Sequence, residues 1–201
     1  MRTKVLLGAA VVLMLIVSVA TIGSNMGFKI SVELTAAQTN FISIPYYNSY
    51  QMASQLWADA GGAAQGIIVI KWNKATSRWQ YYTDASSPDF PLDPGESVNI
   101  QTNTTHNFIM VGSHNPALQV SILPSNTNFV SVPYHTTDAT ASALWTELGG
   151  AANGIIIIGW DKATNRWQYY TDASSPDFPI VPGTGYNIQT SNTLNWVPSH
   201  Y

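Results

Sequence analysis

Residues 39–108 align without a gap on residues 127–196 at an offset of 88, with about 44 of 70 positions identical. A chain that repeats itself over most of its length folds as two copies of one unit, so every structural demand is met twice. Upstream, Ile30, Val32 and Leu34 correspond in pattern to Leu118, Val120 and Ile122, which gives each copy its own leading strand. Downstream, Val111-Gly-Ser-His114 answers to Val197-Pro-Ser-His200 once two residues are deleted, and the joint falls near Asn115-Pro116. The organisation expected is an address segment over 1–23, a first unit over 24–115 and a second over 116–201. A joint of one or two residues makes the units pack against each other rather than swing.

Periodicity fills in each unit. Phe28-Lys-Ile-Ser-Val-Glu-Leu34 alternates apolar and polar residues, and Asn40-Phe-Ile-Ser-Ile-Pro45 does so again, with Pro45 and Pro133 closing that strand. Asn48-Ser-Tyr-Gln51 and Thr136-Thr-Asp138 carry N-cap chemistry. Met52, Leu56, Trp57 and Ala60, with Leu144, Trp145 and Leu148, then form the apolar stripe of a helix of about three turns, ended by Gly61-Gly62 and Gly149-Gly150. Gly66–Ile70 and Gly154–Ile158 are apolar on both faces, as a central strand under that helix requires. Short polar turns lead from them into Arg78–Thr83 and Arg166–Thr171, completing hairpins. A proline-rich loop over Asp84–Glu96 precedes a final pair of strands, Ser97–Thr102 with Asn107–Val111. The fold class expected is α+β and β-rich: two tandem antiparallel-sheet units, each with one helix, in the order strand-strand-helix-four strands.

Only 9% of the residues are charged, the net charge is -3 and cysteine is absent. Thiol catalysis, thiolate zinc and disulfides are therefore excluded, and no basic footprint for nucleic acid exists. Arg2 and Lys4 precede an apolar run from Val5 to Val17 and the small residues Ser18 to Ala20, the pattern of a secretory signal peptide cut near Ala20 or Gly23. The rival is a retained anchor, since the uncharged stretch continues to Ile22. Extracellular or cell-surface localisation is expected, with membrane contact only if that segment stays.

The fourteen residues Arg78–Pro91 recur unchanged as Arg166–Pro179. Alternation is read as placing Trp79 and Tyr81 in the core and Tyr82 outside. Tyr82 and Tyr170, with Trp72 and Trp160, are then the candidate ligand platform, flat rings able to stack on sugars. Core filling is the competing use of these rings. Asp84 with Asp89, and Asp172 with Asp177, offer oxygen ligands for weak calcium binding, but the spacing fits no EF-hand and an Asx-turn accounts for them. No metal site and no cofactor are assigned. His106, His114, His135 and His200 are scattered, and no zinc-protease pair, nucleophile elbow or phosphate loop is present. Ser113-His114 is an adjacency, not a triad. No catalytic residue is assigned and an enzyme is not expected. Asn103-Thr-Thr105 is a glycosylation acceptor sequence.

Asn40-Phe-Ile-Ser-Ile-Pro-Tyr46, Leu56-Trp57, Trp72-Asn73, Trp79-Gln-Tyr81 and Phe90-Pro-Leu-Asp-Pro-Gly95 together resemble a group of uncharacterised secreted β-rich tandem repeats in bacterial and archaeal surface proteins. The fuller motif of that group ends Pro-Gly-x-Gly-Tyr, which Pro182-Gly-Thr-Gly-Tyr186 matches and Glu96-Ser-Val98 in the first copy does not. The resemblance implies life at the cell surface and no reaction. Tandem copies, low charge and open strand edges lead to the expected function, a secreted structural protein that self-associates into an extracellular filament or matrix. The alternative is a pair of carbohydrate-binding modules holding a polysaccharide through surface aromatics.

Overall fold

The computed structural model describes residues 27–113, 115 and 117–199; the address segment, His114 and His200 lie outside them. The first half runs β1 (Phe28–Leu34), β2 (Asn40–Ser43), α1 (Ala53–Asp59), a 3-10 turn (Gly62–Gln65), β3 (Ile68–Asn73), β4 (Arg78–Tyr82), β5 (Ser97–Gln101) and β6 (His106–Gly112). The second half repeats that order as β7 (Val120–Ile122), β8 (Asn128–Ser131), α2 (Ala141–Glu147), a 3-10 turn (Gly150–Asn153), β9 (Ile156–Asp161), β10 (Arg166–Tyr170), β11 (Gly185–Gln189) and β12 (Leu194–Trp196). The architecture is α+β and β-rich, and every strand pair is antiparallel.

Each half contains a four-stranded sheet, β2-β5-β3-β4 or β8-β11-β9-β10, and a two-stranded one, β1-β6 or β7-β12. The last two strands of a half therefore do not pair with each other, contrary to the expectation from their adjacency. β5 is buried on both faces except at Gln101, which suits an interior strand between β2 and β3. β6 instead alternates between buried and exposed, matches the alternation of β1, and pairs with it to cover the edge of the core.

The helices have seven residues, about two turns, rather than three. Asn48 is not the N-cap: its side-chain oxygen accepts from Tyr50 N at 2.6 Å and bends the chain before the helix begins. Met52 stands at the N-cap instead, and Thr140 in the second half, where its hydroxyl accepts from Ala143 N. The proline-rich loops supply the remaining caps. Asp89 accepts from Ser54 N at 3.1 Å, and Asp177 from Ser142 N at 3.0 Å. Leu56, Val69, Tyr82, Ile100 and Phe108 form the core between α1 and the first sheet, and Leu144, Ile157, Tyr170, Ile188 and Trp196 the second.

The halves meet through contacts that occur in reciprocal pairs. Ser43 N donates to Gly183 O and Ser131 N to Gly95 O, both at 2.9 Å. Ser43 Oγ donates to Thr184 O and accepts from Val132 N, while Ser131 Oγ donates to Glu96 O and accepts from Ile44 N. Lys74 reaches Ser121 O, and Lys162 reaches Glu33 O. When residue i meets j + 88 and j meets i + 88, the relation is a pseudo-two-fold axis, with an isologous, self-closing interface. Phe41 and Phe129, equivalent residues, stack on each other at 4.9 Å near that axis. Gly95 and Gly183 have φ of 84°, and a Cβ on either would come within 2.6 Å of Val120 or 2.8 Å of Ile30, so the backbone of each half approaches the other only because both are glycine.

Candidate interaction surfaces

Tyr82 and Tyr170 are buried, each only 6% exposed, and pack edge-on against Trp57 and Trp145 under the helices. The strand phase is the reverse of that read from the sequence. Tyr82 pairs with Val69, which faces α1, so its neighbours Trp79 and Tyr81 are turned away from the helix. Trp79 and Trp167 are 39% exposed, and Tyr81 and Tyr169 about half exposed. Trp72 and Trp160 stay partly exposed but meet Trp79 and Trp167 at 72°, so no flat platform arises from Trp72 with Tyr82 or Trp160 with Tyr170.

These rings instead make a continuous row. Trp72, Trp79, Phe129, Phe41, Trp167 and Trp160 follow one another with centroids 4.9–5.3 Å apart, and the row reads the same from either end. Aromatic pairs at such spacing add to the area they bury, about 0.5–1.5 kcal/mol each. The row includes one tryptophan of β4 and one of β10, each an edge strand with no partner on its outer side among the described residues. Their sequences, Arg-Trp-Gln-Tyr-Tyr, are identical.

Comparison of the chain with protein-family models, with curated proteins and with solved structures finds no match.

Asp84 accepts from Ser86 N at 2.8 Å and Ser86 Oγ at 2.6 Å, an Asx-turn that holds its carboxyl below the usual range. Asp89 faces away to cap α1, so the two carboxylates do not converge. Asp172 and Asp177 repeat this division. Among the described residues no three His, Cys, Asp or Glu side chains gather as a metal would need. His106 sits between the carbonyls of Thr104 and Ala60, and Asn103 is exposed in the β5–β6 turn.

Two buried polar clusters escaped the sequence reading. Lys71, on the core face of β3, donates to Pro91 O at 2.9 Å and pairs with Asp93 at 2.6 Å and Glu96 at 2.8 Å. Burial pulls its ammonium down, but Glu96 and Asp93 outweigh that and keep it charged. In the second half, Glu147 at the end of α2 accepts from Trp196 Nε1, Ser199 N and Ser199 Oγ, tying the C-terminal segment to the helix. Asp138 lies against it. Burial, then the hydrogen bond and charge of Glu147, push the Asp138 carboxyl up to about 7. Burial also raises Glu147, but hydrogen bonds led by Asp138 and Ser199 overcome it and hold that carboxylate low, so Asp138 carries the shared proton. The signal for Lys71 was in the internal alignment: a lysine inside an apolar run, facing glycine in the other copy.

No helix among the described residues is long and apolar enough to cross a membrane.

Proposed function

We propose that the protein is an exported, non-enzymatic structural protein that self-associates into an extracellular filament or surface matrix through its β4 and β10 edges. The observation that carries this reading is the pair of identical open edge strands, each with an exposed Trp and Tyr on one face and a single arginine to discourage pairing. An unguarded edge of high β propensity and low charge is a template for another strand. Antiparallel pairing of two such edges about Gln80 sets Trp79 opposite Tyr81 of the second chain. The interface between the halves closes on itself and offers no site for growth, whereas two equivalent edges per chain allow extension in both directions. Export rests on the basic, apolar and small-residue succession over 1–23 and on the charge-poor, cysteine-free remainder.

Electron microscopy of the purified mature protein tests assembly. Filaments or sheets are expected from the wild-type chain and none from Tyr81→Lys/Tyr169→Lys, whose lysines lie on exposed positions and guard both edges. A wild-type chain that stays monomeric at high concentration contradicts the reading. N-terminal sequencing tests export, with a start near Thr21 or Ser24 expected; an intact Met1 in the membrane fraction would establish the anchor instead.

A further inference from the structure

Two open clefts lie along the seam between the halves, at positions related by the pseudo-two-fold. The first, about 570 Å³, is walled by Trp72 and Ser77 of the first half and by Ser125, Thr127, Gln189 and Ser191 of the second. Its counterpart, about 380 Å³, is walled by Trp160 and Asn165 of the second half and by Gln38, Thr39, Gln101 and Asn103 of the first. Both volumes fall in the range of small-ligand sites. Neither lining contains an ionisable side chain. In a protein whose charge is so low this composition alone decides little, but the state of the polar groups decides more.

Among the described residues the hydroxyls of Ser77, Ser125, Thr127 and Ser191 and the amide of Gln189 have no protein partner, and together with one indole they line the cleft. Across the axis the same holds for Thr39, Gln101, Asn103 and Asn165. Trp160 Nε1 and Gln38 Oε1 are buried there without a partner, whereas their equivalents Trp72 Nε1 and Asn126 Oδ1 bond to each other at 3.0 Å. The backbone at the rims is also constrained. Every non-glycine residue with positive φ among the described residues lines these clefts: Ser77 at 51° and Ser125 at 54° in the first, Ala37 and Asn165 at 56° in the second. Such conformations are unfavourable for non-glycine residues and gather where ligands are held.

We infer that each cleft binds a short stretch of a neutral polysaccharide, one sugar ring against the indole of Trp72 or Trp160 and its hydroxyls on the surrounding amides and hydroxyls. An uncharged polyhydroxylated chain matches this set of unengaged donors and acceptors, and no group is present to neutralise an acidic one. Because the clefts are paired on one rigid chain, a polymer that spans both gains avidity of about 10²–10⁴.

Affinity electrophoresis of dilute full-length protein in gels containing β-1,3-glucan, galactomannan or xylan, with polygalacturonate as the acidic control, tests the inference independently of assembly. Retardation by at least one neutral polymer is expected. Trp72→Ala or Trp160→Ala alone should weaken it about 100-fold, and the two together should abolish it. Since these indoles also pack in the aromatic row, Gln189→Ala/Gln101→Ala is the companion variant: both side chains are exposed and bond to none of the described residues, so the fold is kept and binding should fall about tenfold. No retardation by any neutral polymer overturns the inference. So does retardation by polygalacturonate alone, or wild-type retardation of both double variants.

Discussion

Positions 71 and 159 are equivalent in the two halves and are solved in opposite ways. In the first half Lys71 lies beneath the proline-rich loop, and its ammonium satisfies Pro91 O while Asp93 and Glu96 neutralise it. In the second half Gly159 leaves that space empty, and Tyr186, where the first half has Val98, enters it from β11. A Cβ on Gly159 would lie 2.9 Å from Phe178 and 3.4 Å from Tyr186. The Tyr186 hydroxyl donates to Pro179 O, the equivalent of Pro91 O, at 3.4 Å and accepts from Val181 N at 2.7 Å. Burial pushes this phenol up to about 12, which keeps it a donor. Asp93 and Glu96 are replaced by Val181 and Thr184, so four positions have changed together. The fold requires a donor for one loop carbonyl and volume under that loop; a charge cluster and an aromatic ring both meet that requirement.

A second matched place separates the halves by pH. Tyr50 donates its hydroxyl to Asp59 in the first half, and at the same positions Asp138 shares a proton with Glu147 in the second. The tyrosine keeps its proton throughout the physiological range, because burial and Asp59 raise its pKa further. At this matched place the second half is therefore expected to respond to pH near neutrality and the first is not.

Transplanting one residue without its partners is expected to destabilise the protein most. Gly159→Lys places an unneutralised ammonium against Phe178 and Tyr186 and should cost about 4 kcal/mol or more. Adding Tyr186→Val, Val181→Asp and Thr184→Glu should recover most of that loss in a thermal melt, and the recovery measures the coupling of the four positions. In the opposite sense, Lys71→Met strands Glu96 and frees Pro91 O. About 2–4 kcal/mol is expected, less than for a fully buried pair, because Asp93 is largely exposed and Lys74 still stands 3.0 Å from Glu96. Denaturant unfolding reads this directly. Tyr186→Phe removes only the hydroxyl and should cost about 1–2 kcal/mol, the value of a lost buried hydrogen bond.

The smallest effect is the one that depends on pH. Asp138 has a raised folded-state pKa, so its contribution is fully present below the unfolded carboxyl value near 4 and is lost as pH rises toward about 7. Glu147 acts in the opposite sense, its contribution lost only as pH falls through its lowered value. Asp138→Asn keeps a donor toward Glu147 without a proton to lose. Its melting temperature should exceed that of the wild type by a few degrees at pH 8, and the gap should close toward pH 5. Asp59→Asn in the first half should show no such convergence over that window.

Much of the fold was legible because the periodicities are local. The alternation of Phe28–Leu34, the apolar run into Ile70 and the Gly61-Gly62 stop each identify an element without reference to the rest. Sheet assignment was not legible in the same way, since β5 and β6 are adjacent in sequence and only the two-faced burial of β5 sends them to different sheets. The helix start misled because Asn48 can make either a cap or an Asx-turn, and Asp89, which completes the cap, comes from a loop 35 residues away. At the candidate site Trp72 and Trp160 are partly exposed and pack against Trp79 and Trp167, whereas Tyr82 and Tyr170 are buried. Two adjacent tyrosines fit either phase, and the position of α1 over Val69 decides between them. The seam clefts had no signal at all within one unit, because each is walled by residues of both.

On the proposed function one chain carries two equivalent edges for association. Sedimentation velocity on the wild type, Tyr81→Lys alone and Tyr81→Lys/Tyr169→Lys tests it by counting. Polymers are expected from the wild type, dimers from the single variant, whose β10 edge alone stays open, and monomers from the double variant. Polymers from the double variant, or a wild type that remains monomeric at every concentration reached, would contradict it.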